Sequence, residues 1–158
     1  MVLFARIVPC AHMKIFIEQP GEKNKKNIFD KKTGKLLKTV DFHLTYPYPY
    51  GYILDTISDD GKNLDCYVIT KKKFEACSMV EANPIGMAEF FEDGKADHKI
   101  LAVLKNENNI IDNDVKKRLN YFSDHFFDNR PKKKFSNGKF LGKAEAEKLI
   151  DKTRTNQR

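Results

Sequence analysis

Between residues 46 and 53 the chain reads Tyr-Pro-Tyr-Pro-Tyr-Gly-Tyr-Ile, and no helix can pass through it. Each proline lacks the amide hydrogen a helix needs, and its ring clashes with the preceding turn. The residues before Pro47 and Pro49 are driven toward extended conformations. Tyr46, Tyr48 and Tyr50 then share one face of an extended segment, and Tyr52 continues the pattern. The surrounding sequence is also β-rich. Residues 14–18 (KIFIE) read as a strand stopped by Pro20, residues 21–27 as a polar loop, and residues 30–37 as a hairpin turning at Thr33-Gly34. A turn follows at 59–63. Residues 64–70 (LDCYVIT) and 98–104 (HKILAVL) are apolar strand candidates, and 79–91 holds one or two strands around Pro84-Ile85-Gly86.

The period changes after residue 110. Asp112 or Asn113 can cap a helix, and Val115, Leu119, Phe122 and Phe126 recur at helical spacing on one face. Arg130-Pro131 should end that helix. Residues 138–142 read as a connector and 143–152 as a short second helix, with fraying from Thr153. Five to seven strands followed by two helices imply a mainly β (α+β) fold, a small β-barrel or curled sheet with helices packed on one side. In residues 1–12 the apolar stretch is short and broken by Arg6 and Pro9, unlike a secretory signal. The expected organisation is 1–12 as a leader or expression remnant outside the fold, 13–153 as one domain, and 154–158 as a frayed basic tail.

Composition narrows the function classes. A chain of 158 residues that is 41% hydrophobic can bury one core. No apolar run nears the roughly 18 residues of a membrane span. The three cysteines, Cys10, Cys66 and Cys77, form no CxxC pair. A zinc knuckle is thereby excluded, and a reducing, cytoplasmic compartment fits better than a disulfide scaffold. The net charge of +7 sits at one end: residues 130–158 carry ten Lys/Arg against three acids, and the first 129 residues balance. That end reads as a solvated surface rather than a nucleic-acid site, because basic runs raise affinity without reading sequence.

The acids cluster. Asp55, Asp59, Asp60 and Asp65 fall together, as do Glu89, Glu92, Asp93 and Asp97. Asp60 and Asp65 straddle the Gly61 turn and can face one ion, and carboxylate oxygens are what Mg²⁺ takes. Asp97 and Lys99, two apart, share a strand face. Asp97 could complete a metal site there, and Lys99 could meet an anion. Tyrosine hydroxyls can donate to phosphate. The plainer alternatives are an Asp turn that bonds its own backbone and an aromatic core strand; spacing alone leaves both open.

Taken in order, these segments resemble the soluble family I inorganic pyrophosphatases over about residues 14–150. Ile17-Glu18-Gln19-Pro20 is similar to the family's I-E-I-P strand, and residues 26–34 to its K-Y-E-I-D-K-x-[ST]-G hairpin. Residues 46–53 are similar to Y-P-x-N-Y-G-[FY]-I, and Asp60-Gly61-Lys62-Asn63-Leu64-Asp65 to D-G-D-P-x-D. Pro84-Ile85-Gly86 resembles R-P-[IV]-G, and residues 97–103 resemble D-x-K-[IL]-[IV]-A-V. The resemblance implies a five-stranded OB-like barrel with two C-terminal helices. It implies hydrolysis of inorganic pyrophosphate to two phosphates with several Mg²⁺ ions, for which Mn²⁺ or another divalent ion could substitute. It also implies a homo-oligomer, a hexamer or a dimer.

Carried over position by position, Asp60, Asp65 and Asp97 match metal-holding aspartates, and Glu92 falls at a further metal position. Lys26, Tyr50 and Lys99 match phosphate contacts, and Lys38 falls near a phosphate-binding Arg. Glu18 and Tyr46 match other active-site positions. Three departures stand out. Lys62 occupies the place of the aspartate that deprotonates the attacking water, and an ammonium cannot accept a proton near neutrality. Ile28 replaces a glutamate. Phe126 and Phe127 replace a Tyr-Lys pair that meets phosphate, and the basic run at 130–134 is a candidate replacement whose place cannot be read from sequence. The departures imply a slow or altered hydrolase. The alternative is a weak or inert relative that binds metal and phosphate as a regulatory module.

Overall fold

The computed structural model describes residues 13–155. In chain order the elements are β1 (Met13–Gln19), β2 (Lys25–Phe29), β3 (Leu36–Asp41), β4 (Tyr50–Ile53), β5 (Asp65–Val68), β6 (Met79–Glu92), β7 (Lys95–Ala96), β8 (Lys99–Leu104), α1 (Asn113–Phe126), β9 (Phe135–Gly142) and α2 (Lys143–Thr153). Strands β1, β4, β5, β8 and β6 pair in that order, and β6 pairs back onto β1. The result is the expected five-stranded ring with two helices. Closure leaves these strands no unpaired edges. All its pairings are antiparallel except β5 with β8. Strand β6 can serve two neighbourhoods because it bends: its register shifts between Pro84 and Gly86 against β8, and between Ala88 and Phe90 against β9.

Strand alternation divides the apolar residues between two cores. Cys66 and Val68 of β5, with Ile100 and Ala102 of β8, point into the barrel beside Ile15, Ile17 and Ile53. Tyr67, Ile69, Leu101 and Val103 point outward and are covered by Val115, Leu119 and Phe122 of α1. Both faces are buried, so these strands read as nearly continuous apolar runs. Helix α2 sends Ala146 and Ile150 into the barrel core. Helix α1 starts as expected, with the Asp112 carboxylate accepting from the Val115 amide at 2.9 Å. Gly51 lies level with Ile17 of β1 and Cys66 of β5. A Cβ there would overlap the Phe16 carbonyl oxygen.

Three expectations change. The stretch read as a loop at 21–27 becomes strand from Lys25, because Asn27 turns inward and bonds to β1. Its amide donates to Gln19 Oε1 and its side chain donates to the Glu18 carbonyl, both at 2.8 Å. Residues 138–142 are not a connector but the end of β9, which satisfies the far half of β6. Helix α1 stops at Phe126, ahead of Arg130-Pro131. Beyond α2, Arg154 forms an isolated bridge with Thr56, and the Thr155 amide donates to the Asp55 carbonyl at 3.0 Å. The tail expected at 154–158 is thus tied to the body at its first two residues. Residues 156–158 and the expected leader at 1–12 lie outside the described residues. Among the described residues, no helix is long and apolar enough to cross a membrane.

Candidate active site

Three clefts meet at Asp65. The first, about 210 Å³, lies under α1 and is mainly aromatic; the second, about 290 Å³, faces the Asp59–Asp60 turn; the third, about 580 Å³, lies beneath the β2–β3 ribbon. Asp65 opens β5 and Lys99 opens β8. The parallel register sets Cys66 level with Ile100, so these two neighbouring residues emerge at the same rim. Lys99 is only 8% exposed. Its ammonium lies 2.6 Å from Asp65 Oδ2 and 3.1 Å from Asp97 Oδ2. Burial alone would drive the proton off, but the two carboxylates outweigh it and hold the ammonium above its ordinary pKa. Burial raises the Asp97 carboxyl, with Asp65 and Glu92 adding to the shift against the pull of Lys99. The sequence expectation that Lys99 and Asp97 face the same way is met. Lys99, however, already holds carboxylate partners.

Asp60, Asp65, Glu92 and Asp97 all line the second cleft. Asp60 also accepts the Lys62 amide at 2.9 Å, the turn bond that the plainer reading anticipated. Glu92 accepts from Lys133 Nζ at 2.7 Å. Among the described residues, no group of three or more His, Cys, Asp or Glu side chains stands close enough to hold a metal. Mg²⁺ does not require such a cage: it commonly keeps several waters and takes one or two protein carboxylates, with substrate phosphate completing its shell. The expected joint site of Asp60, Asp65 and Asp97 is thus not formed; these residues and Glu92 supply hard oxygen donors along one cleft, spread too widely to act together as a cage.

The third cleft collects the remaining candidates. Glu18, Lys26, Tyr46 and Tyr50 line it with Asp65, beside the departures Ile28 and Lys62. Lys26 Nζ sits 4.9 Å above the Phe126 ring and 5.3 Å above that of Phe42. Burial, then the Arg130 charge, lowers its pKa. Burial also raises the Tyr46 and Tyr50 hydroxyls, which stay protonated as donors. Lys38 is exposed, opposite Ile28 on the ribbon, and lines none of these clefts. Phe126 and Phe127 line the aromatic cleft. Lys133 at Glu92 and Arg130 near Lys26 were visible in the sequence only as members of a basic run. Tyr67, whose ring lies 4.7 Å from Tyr50, gave no signal beyond that of a core strand.

Glu18 carries a pH prediction. Burial first, then the Asp65 charge, raises its pKa from 4.5 to about 7. The folded state therefore binds this proton more tightly than the unfolded chain. The associated stability is fully present below the unfolded pKa and is lost as pH rises through about 7. In chelator-treated protein, Glu18→Gln should flatten this dependence and raise stability at pH ~8 by about 2 kcal/mol over wild type. Denaturant melts of both proteins at acidic and alkaline pH check it, and parallel pH profiles would contradict it.

The family model for inorganic pyrophosphatases matches residues 15–158. The chain belongs to the family I inorganic pyrophosphatases. An inorganic pyrophosphatase of Nanoarchaeum equitans is 30% identical over 151 residues, covering 89% of this chain and 94% of the relative. That of Saccharolobus solfataricus is 29% identical over 154 residues, covering 89% and 88%. In three dimensions, an inorganic pyrophosphatase of Helicobacter pylori superposes with a TM-score of 0.81 at 23% identity, covering 92% of each chain. The one from Thermus thermophilus gives 0.80 at 21%, covering 90% of this chain and 88% of that one. The pyrophosphatase fold is thus retained at low identity.

Proposed function

We propose that this protein hydrolyses inorganic pyrophosphate to two phosphates in the cytoplasm, as a homo-oligomer (a hexamer or dimer) dependent on Mg²⁺ or Mn²⁺. The carrying observation is the rim where Asp65, Lys99 and Asp97 meet, with Asp60 and Glu92 on the adjoining cleft. Asp60, Asp65, Asp97 and Glu92 would hold the metal, which when bound neutralises phosphate charge and makes water a stronger nucleophile. Lys26 and Lys99 attract and orient the phosphates. Tyr46 and Tyr50 donate hydrogen bonds to them, and Glu18 tunes the local charge. Lys38, on the ribbon face that carries Lys26, meets the substrate as it enters. Pyrophosphate incubated with the protein and Mg²⁺ should release phosphate above the uncatalysed rate; no release would refute the reading.

Lys62 sets the expected speed. It lines both the second and third clefts and brings an ammonium that repels a metal and cannot take a proton. General-base catalysis contributes about 10²–10⁴-fold. Lys62→Asp should therefore raise kcat at least ~10-fold, measured by phosphate release. The same lysine favours a second reading, a module that binds pyrophosphate without turning it over. Binding by calorimetry with no turnover, unrestored by Lys62→Asp, would establish that alternative.

A further inference from the structure

The β2–β3 ribbon is a sheet of its own, outside the ring. Its base is fixed: Asn27 is bonded to Gln19 and Glu18 of β1, and the Phe29 ring lies 5.9 Å from that of Phe16. Further out, residues 31–39 are all exposed. They read Lys-Lys-Thr-Gly-Lys-Leu-Leu-Lys-Thr, four lysines and no acid. The flanking acids are engaged. Asp30 accepts the amides of Lys32 and Thr33 at 2.8 and 3.2 Å, and Asp41 is paired with Lys25 at 2.7 Å. Among the described residues, Lys31, Lys32, Lys35 and Lys38 make no ion pair. Between these lysines stand two adjacent leucines, Leu36 and Leu37, 41% and 61% exposed. Phe29 pairs with Leu36 and Ile28 with Lys38, so Leu37 is the extra residue of a bulge and has no partner across the ribbon.

The bulge and the lysines discourage another strand from adding along this edge, and a second copy of the ribbon would bring the same uncompensated charge against it. Nucleic acid would neutralise the lysines but leave both leucines in water. An anionic bilayer surface satisfies both groups, because apolar burial and attraction to acidic headgroups add in binding of this kind. We infer that the tip of the β2–β3 ribbon docks the protein on a bilayer surface rich in anionic lipid, with Leu36 and Leu37 entering the headgroup–acyl boundary and the four lysines meeting the headgroups. The contact is peripheral and spans nothing. Lys32, Lys35, Leu36 and Leu37 line none of the three clefts, so the surface stands apart from the hydrolytic site and does not rest on the proposed function.

Flotation of the full chain with vesicles tests it, using phosphatidylcholine alone or with about one part in three phosphatidylserine. The anionic vesicles should bind at least ~10-fold more tightly, and added salt should weaken that binding. Lys32→Glu/Lys35→Glu should weaken it at least ~10-fold, since each lysine near such a surface contributes a factor of about 5. Leu37→Ser, which keeps every charge, should weaken it at least ~5-fold. The same change of charge on exposed positions of α2, Lys143→Glu/Lys148→Glu, should have a smaller effect. Unchanged urea midpoints confirm that all these variants fold. No binding to anionic vesicles, wild-type affinity in Lys32→Glu/Lys35→Glu, or an equal loss from the α2 pair overturns the inference. Indifference to Leu37→Ser also overturns it, and competition by a DNA duplex would then assign the ribbon to nucleic acid instead.

Discussion

Gly51→Ala should destabilise the protein by more than about 4 kcal/mol, a loss reached by few single substitutions. The added methyl would overlap the Phe16 carbonyl oxygen, come within 2.8 Å of the Phe16 carbonyl carbon and lie 3.1 Å from Ile17 Cα. Each of these atoms is backbone, so no side-chain rotation relieves the clash. Moving β4 away from β1 would relieve it, but β4 is also laddered to β5 through Gly51 and Cys66. Relief therefore breaks one side of the ring or strains both. Set against the roughly 5–15 kcal/mol that holds a typical domain folded, the change should abolish the native state or bring it close to its midpoint. Urea denaturation decides, and a wild-type midpoint would contradict the geometry. Gly34→Ala is the natural control. Gly34 has a positive φ of +73°, which Gly51 does not, but it meets nothing within 4 Å, so the change should cost only about 1 kcal/mol.

Asp65→Asn carries the largest expected loss of activity. This carboxylate borders all three clefts and makes the shorter of the two bonds to Lys99. The isosteric amide removes a charge proposed to hold metal and weakens the hold on a buried ammonium at once. Pyrophosphate hydrolysis should fall at least ~10³-fold, the scale on which single preorganised electrostatic groups act. Stability should fall by about 1–3 kcal/mol, as for a buried charged group that loses part of its hydrogen bonding. Asp97→Asn leaves Lys99 its shorter bond, so its stability loss should be smaller. A rate for Asp65→Asn within tenfold of wild type would argue against the proposed function.

Much of this arrangement could be read before any coordinates because its signals are local. Near-continuous apolar, β-rich runs at 64–70 and 98–104 gave the two central strands. The prolines fixed the extended tyrosine segment, and the spacing of Val115, Leu119 and Phe122 gave α1. The order of short motifs carried Asp60, Asp65, Asp97 and Lys99 to one family; the structure brings Asp65, Asp97 and Lys99 together, with Asp60 on the adjoining cleft. The rest depends on contacts that spacing does not encode. Nothing local says that Glu92 meets Lys133, 41 positions away. Asn27 and Gln19 look like loop residues until each satisfies the other's backbone or side chain. Strand β9 lacks a clean apolar alternation and exists because β6 needs a partner along its bent half.

The lone parallel pairing in the ring also has a kinetic consequence. Asp65 and Lys99 are 34 residues apart, and they are adjacent only once β5 and β8 have aligned. Contacts of such separation must overcome loop-closure entropy before they contribute, and they form late. Helical ellipticity from α1 should therefore recover ahead of the proposed pyrophosphate hydrolysis when the denatured chain is diluted from urea. The lag between the two signals would time the zipping of that one seam.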